Sequence, residues 1–140
     1  MSEVLQQERH HRRPHAQVLA ASFLEFDLGR ELEQLHREPE WESGQNAKTL
    51  AKYEDFRVVL TALKRHVRIP GHQTEGRISI HTILGHIQMR ALGRTFDLRA
   101  GSLLTLDQGI VHDIEAIEES AILLTIAWPG RDLPPGANRG

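Results

Sequence analysis

The sequence feature that most constrains the fold is a series of short apolar–polar alternations between residues 48 and 128, separated by turn residues. A period of two predicts β-strands with one buried face. Glycine at the intervening turns supplies the positive φ that other residues adopt only with strain. Because only a closed barrel or two packed sheets can protect so many strand edges, the pattern predicts an all-β sandwich or barrel. We predict eight strands, at residues 48–52, 57–66, 77–84, 86–91, 95–98, 102–106, 111–116 and 121–128.

One short helix is predicted ahead of the strands. Leu28, Leu32 and Leu35 share a helical face, and Asp27 can accept from the first-turn amides. Pro39 disfavours the helical conformation in the residue before it, so the helix should end there. We therefore divide the chain into a flexible N-terminal arm at residues 1–22, the helix and a connection at 23–46, the barrel at 47–130 and a disordered tail at 131–140.

Composition limits the function classes. The chain has 140 residues and a formal net charge of −2, which fits one domain and provides no field for nucleic acid or an anionic membrane. It has no cysteine, which excludes disulfides, zinc–thiolate sites and thiol catalysis. No apolar stretch reaches membrane-spanning length, and no signal-peptide core follows the polar start. We expect a cytoplasmic protein without nucleic-acid or membrane partners.

Two histidines stand near glycine-bearing turns and beside alternating runs. His72 follows Gly71, and His112 lies three residues after Gly109. Since each is placed at a chain reversal, we expect both imidazoles at one mouth of the barrel.

Two groups of residues around these histidines resemble the two motifs of the cupin superfamily. The first group is His72, Thr74, Ile78 and Gly85; the second is Gly101, Asp107, Gly109 and His112. The resemblance covers residues 46–129 and is to the small single-domain, RmlC-like cupins. It implies a cupin jelly roll, to which the arm and the short helix are added.

The resemblance also bears on metal binding. Metal-binding cupins hold a divalent iron, manganese, nickel or zinc with three histidines and a glutamate. Thr74 and Ile78 stand where two of these ligands are expected, which leaves His72 and His112 as candidate ligands. Two imidazoles alone make a weak site, so the metal stays open.

Three functions compete at the sequence level. The first is small-molecule binding in a pocket with few polar groups and an apolar floor, lined by His72, Thr74, Ile78, Ile80, Met89 and His112. The second is an enzyme, either a metal-dependent oxygenase or isomerase or a metal-free barrel with histidine as general base. The third is a dimeric regulatory or structural module, in which the apolar residues 16–26 form an edge strand or dock on a second subunit. A homodimer is expected, and no catalytic residue is assigned.

Other polar and aromatic residues are given structural interpretations. Strand alternation directs His81 away from the core, and His86 should be solvated or at a subunit contact. Asp113 and Glu115 are interpreted as solvated strand residues, and Arg57 as an exposed strand residue or an interface group. The two tryptophans, Trp41 and Trp128, are expected to be packing anchors.

Overall fold

The computed structural model describes residues 18–129, and in this part of the chain nine strands form two antiparallel sheets. The predictions for the arm before residue 18 and for the tail at 131–140 lie outside the described residues. The elements are α1 (Leu28–Arg37), a 3₁₀ turn (Pro39–Ser43), β1 (Gln45–Lys52), β2 (Phe56–Leu63), β3 (Arg68–His72), β4 (Arg77–Leu84), β5 (His86–Ala91), β6 (Arg94–Arg99), β7 (Leu103–Leu106), β8 (His112–Ala116) and β9 (Ser120–Ala127). The sheets have the strand orders β1-β2-β9-β4-β7 and β3-β8-β5-β6. The predicted all-β jelly roll is confirmed.

Each of the eight predicted strands has a counterpart, but β3 was not predicted. The glycine-bearing turn expected ahead of His72 is wrong, because Ile69, Pro70 and Gly71 lie inside β3. This strand is at the edge of its sheet, and its pairing with β8 is irregular between Ile69 and His72. A proline that cannot donate a ladder hydrogen bond is tolerated at such a position.

The helix covers the outer face of the five-stranded sheet. Leu32 and Leu35 of α1 pack on Leu50 and Leu60 of the first two strands. As predicted, the Asp27 side chain accepts from the amide of Arg30, and the helix ends ahead of Pro39. Within residues 18–129, no helix combines the length and the apolar character that crossing a membrane requires. The inner faces of the two sheets enclose a second, larger apolar core.

Buried polar contacts fix the helix on β1. Asn46 donates to the carbonyl oxygen of Leu35 and to the Glu38 carboxylate, at 2.9 Å in each case. The Lys48 ammonium pairs with the Glu31 carboxylate and donates to the side-chain oxygen of Gln34 at 3.2 Å. Directional contacts at both ends of α1 therefore set its position, in addition to apolar packing.

The segment ahead of α1 lies against its own barrel. Residues 18–27 contain no strand, so the edge-strand alternative is wrong for the described part of residues 16–26. The amide of Lys52 donates to the carbonyl oxygen of Leu19 at 2.7 Å, and the Tyr53 hydroxyl donates to that of Ala21 at 2.8 Å. These contacts anchor the segment at the end of β1, while Phe23 stays 81% exposed.

Candidate functional site at one end of the barrel

The strand registers bring the predicted site residues to one end of the barrel. His72 at the end of β3 is paired with His112 at the start of β8. Ile78 at the start of β4 is paired with Ile126 near the end of β9, and Ile126 is also paired with Arg57 of β2. We call this end, formed by Arg57, His72, Ile78, His112 and Ile126, the barrel mouth.

His112 is a buried imidazole on the inner face of the smaller sheet. Its side chain is on the same side of β8 as Ile114 and is only 2% exposed. The Nδ1 atom lies 3.0 Å from the carbonyl oxygen of Ile110. Since a carbonyl can only accept, this contact assigns the proton to Nδ1 and makes Nε2 of the neutral ring an acceptor or ligand atom.

Thr74 connects the two loops that carry the histidines. Its hydroxyl accepts from the amide of Gly76 at 3.3 Å, and its carbonyl oxygen accepts from the amide of Gly109 at 2.9 Å. Gly109 has a φ of +76°, which suits glycine at this turn. The loop after β3 and the loop before β8 are thus held together at the mouth.

The three apolar residues predicted for the pocket floor belong to the inner core. Ile78, Ile80 and Met89 are all buried there. The alternation that points Ile78, Ile80 and Thr82 inward is confirmed, as is the exposure of His81 on the opposite face. Contact of the three core residues with a ligand stays a prediction.

Arg57 is a mouth residue that the sequence interpretation missed. Its prediction as an exposed strand residue is wrong, because it shares the inner face of the sheet with Ile126 and is half-buried. Its guanidinium carbon lies 5.2 Å from the ring centroid of Trp128. Its position two residues before the buried Val59 was the available signal, since residues i and i+2 of a strand share a face.

The two tryptophans are packing residues, as expected. Trp128 packs against the inner core, and Trp41 packs against the cluster beneath α1. Each ring also contacts a cation: Arg57 lies over Trp128, and the Lys64 ammonium is 5.3 Å from the Trp41 ring centroid.

Solved structures with low sequence identity share this architecture. A cupin-2 domain protein from Shewanella frigidimarina aligns with a TM-score of 0.60 at 14% identity, over 73% of this chain and 93% of that one. KdgF from a Halomonas species aligns with a TM-score of 0.57 at 21% identity, over 69% and 87%. The fold is that of the cupins. Salicylate 1,2-dioxygenase from Pseudoaminobacter salicylatoxidans gives a TM-score of 0.66 at 11% identity, over 73% of this chain and 34% of the enzyme. No family model and no curated protein sequence matches the chain.

The donors predicted at the mouth of this cupin barrel are fewer than a resident transition metal generally needs. Thr74 offers a hydroxyl, Ile78 offers no donor atom, and the two histidines are the remaining candidates. Among the described side chains of residues 18–129, to which that of His72 does not belong, no three histidine, aspartate or glutamate residues form a group that could hold an ion. Stable transition-metal sites generally use at least three protein ligands. Metal binding at His72 and His112 stays a prediction, and no chemical step is assigned to a metal.

His86 lies at the connection between β4 and β5 and is buried, which corrects its prediction as a solvated residue. Its backbone exchanges hydrogen bonds with the hydroxyl of Ser120, and its Nε2 contacts the Asp97 carboxylate. The hydrogen bond with His86 lowers the pKa of Asp97 from its usual value. These contacts stabilise the connection between β4 and β5.

The outer face of the smaller sheet carries an ion-pair network. Asp113 and Glu115 are half-buried and accept from Arg90 at 3.4 and 3.2 Å, so their interpretation as simply solvated residues is incomplete. The hydrogen bond with Glu115 and then that with Asp113 raise the pKa of Arg90.

A groove of about 410 Å³ lies on the outer face of the larger sheet. Ser79, Thr105 and Thr125 form its register-aligned floor, while Arg77 and Asp107 border one end. It shares only Ile78 with the predicted pocket. The groove is therefore distinct from the inner face that carries His112.

Proposed function

We propose that this cupin barrel binds a small molecule at its mouth and that His112 supplies the main polar contact. The observation that carries the proposal is a nearly fully buried imidazole on the largely apolar inner face of the smaller sheet. Small-molecule sites are usually apolar and contain a few fixed polar groups that orient the ligand. His112 has this character, because its ring is held by Ile110.

The mouth is also organised by its backbone. The hydrogen bond between Thr74 and Gly109 holds the two motif loops together, and the register between β3 and β8 sets His72 opposite His112. A site of this kind binds without a large rearrangement of the strands. The ligand contacts we assign are His72, Thr74 and His112, above Ile78, Ile80 and Met89.

Thermal-shift measurements with a library of small polar molecules test the proposal. At least one compound should raise the melting temperature of the unmodified chain, and the shift should be lost in His112→Ala and reduced in His72→Ala. His81→Ala is the matched control, because this histidine is exposed on the outer face of β4. Circular dichroism verifies that each variant is folded. Shifts that persist in both His72→Ala and His112→Ala would contradict the proposal.

Acid–base catalysis is the second candidate, and the tautomer of His112 favours it. With the proton on Nδ1, the Nε2 atom of the neutral ring can accept a proton from a bound molecule.

The metal-dependent alternative is tested by elemental analysis of protein purified without a histidine tag. A stoichiometric metal that is lost in His112→Ala would support that alternative; substoichiometric metal unaffected by the substitution would oppose it.

A further inference from the structure

Arg57 is a cation at the barrel mouth with no protein counter-ion. Within residues 18–129 it forms no ion pair, and its Nε atom is buried without a hydrogen-bond partner. A buried donor left unsatisfied destabilises the folded chain, and more so when the group is charged. Such a group is expected to gain a partner when the site is filled.

One carboxylate at this end of the barrel is already engaged, since Asp107 lies 2.9 Å from Arg77. Lys52 is the register partner of Arg57 on β1 and is exposed. Asp55 and Glu75 lie in the two turns at this end, and among the described residues neither forms an ion pair with Arg57. Arg57 is therefore distinguished by its unsatisfied Nε atom and not by the net charge of the mouth.

We infer that Arg57 binds the carboxylate of an organic acid that occupies the mouth, an assignment that rests on the proposed function. The guanidinium carbon lies 5.2 Å from the ring centroid of Trp128, so the ring covers one side of the group. The edge of a guanidinium, with Nε–H and one Nη–H, matches the two oxygens of a carboxylate in a side-on pair. One half-buried arginine suits a monoanion better than a phosphate, whose charge at neutral pH is between −1.5 and −2. The ligand class is therefore a small carboxylic acid with an apolar body.

Binding of matched probes to the full chain tests the assignment. Isothermal titration compares benzoate with benzamide and hexanoate with hexanamide, pairs that differ in charge and little in shape. Each acid should bind about tenfold or more tightly than its amide. Arg57→Met should abolish the preference, and Arg57→Lys should retain part of it because the charge stays but the bidentate edge is lost. Arg99→Met is the control, because Arg99 lies at the end of β6 opposite to the barrel mouth and its side chain is 72% exposed.

The possible outcomes separate this assignment from the proposed function. If acids and amides bind equally well, or if the preference for acids survives in Arg57→Met, the role of Arg57 is overturned. The proposed function still stands in that case if His112→Ala abolishes binding of the probes. Binding that is indifferent to both Arg57→Met and His112→Ala overturns both. Inorganic phosphate that binds more tightly than benzoate overturns the carboxylate class. Failure of all four organic probes to bind at millimolar concentration overturns the assignment as well.

Discussion

Lys48 is a charged residue in the middle of an otherwise buried strand. Its side chain is only 4% exposed, and its ammonium is satisfied by Glu31 and Gln34 of α1. Strand alternation predicted β1 but could not predict this pair, because the partners come from the helix that covers the outer face. Arg57 and His86 were misinterpreted for a related reason: the polarity of a side chain does not reveal which surrounding element covers it.

The Lys48–Glu31 pair leads to an asymmetric prediction. Glu31→Ala should lower the free energy of unfolding by about 2–3 kcal/mol, because it leaves a buried ammonium uncompensated. Lys48→Met should cost less than about 1.5 kcal/mol, since Met fits the apolar surroundings and Glu31 can turn towards water. Urea denaturation measures both changes. Glu33→Ala, which removes an exposed ion pair with Arg37 on the same helix, should change the free energy by about 0.5 kcal/mol or less. A larger loss for Lys48→Met than for Glu31→Ala would refute this account.

The contact between Asp97 and His86 makes stability depend on pH. The pKa of Asp97 is lowered in the folded chain, mainly by this hydrogen bond, so below the ordinary value of 3.8 the unfolded chain binds more protons than the folded one. The stabilisation that ionised Asp97 provides is therefore complete above pH 3.8 and is lost as the pH falls through the folded-state pKa of Asp97. Urea midpoints of the unmodified chain and of Asp97→Asn, measured from pH 7 to pH 3, should converge as the pH falls. If the difference between the two urea midpoints does not change with pH, Asp97 does not contribute to the loss of stability in acid.

At the scale of elements, the sequence predicted a helix or strand correctly where the local sequence signal agrees with the tertiary structure. The Asp27 cap, the leucine face and Pro39 define α1 without reference to the rest of the chain. By contrast, β3 contains Pro70 and Gly71 and is a strand only because it pairs with β8. That pairing is non-local, and no property of residues 68–72 alone reveals it.

The connection between β4 and β5 depends on Gly85. Its φ is +81°, and a Cβ atom there would overlap the carbonyl oxygen of Glu119 and lie 2.9 Å from the Cα of Ser120. Gly85→Ala should cost about 4 kcal/mol or more, or prevent folding, because backbone must move to relieve the overlap. Gly93→Ala is the control: Gly93 has a φ of +70° but open space around it, so its cost should be about 1–2 kcal/mol. Similar costs in urea denaturation would show that backbone conformation, and not the close approach, governs both positions.

At the scale of the whole molecule, the order of the two histidine motifs and the regular strand spacing were enough to predict the cupin jelly roll. They did not predict the outer groove, because its floor comes from three strands that are distant in sequence, with Ser79, Thr105 and Thr125 brought together by register. Arg57 reaches the mouth in the same way, through the pairing of β2 with β9. Sequence pattern thus predicted the architecture, whereas the placement of Arg57 at the mouth required the strand order.

The predicted homodimer is argued from the segment ahead of α1. Leu19 and Ala21 are bonded to the barrel of their own chain, which leaves Phe23 projecting from an anchored backbone with its ring mostly exposed. A second chain that covers this ring would remove apolar surface from water. Light scattering should therefore give twice the 15.9 kDa chain mass, and Phe23→Asp should shift the protein to the monomer. Leu92→Asp, at an equally accessible turn between β5 and β6, should leave the dimer intact. If Phe23→Asp remains dimeric, the contact between subunits must be formed by another surface, and the segment ahead of α1 serves only its own barrel.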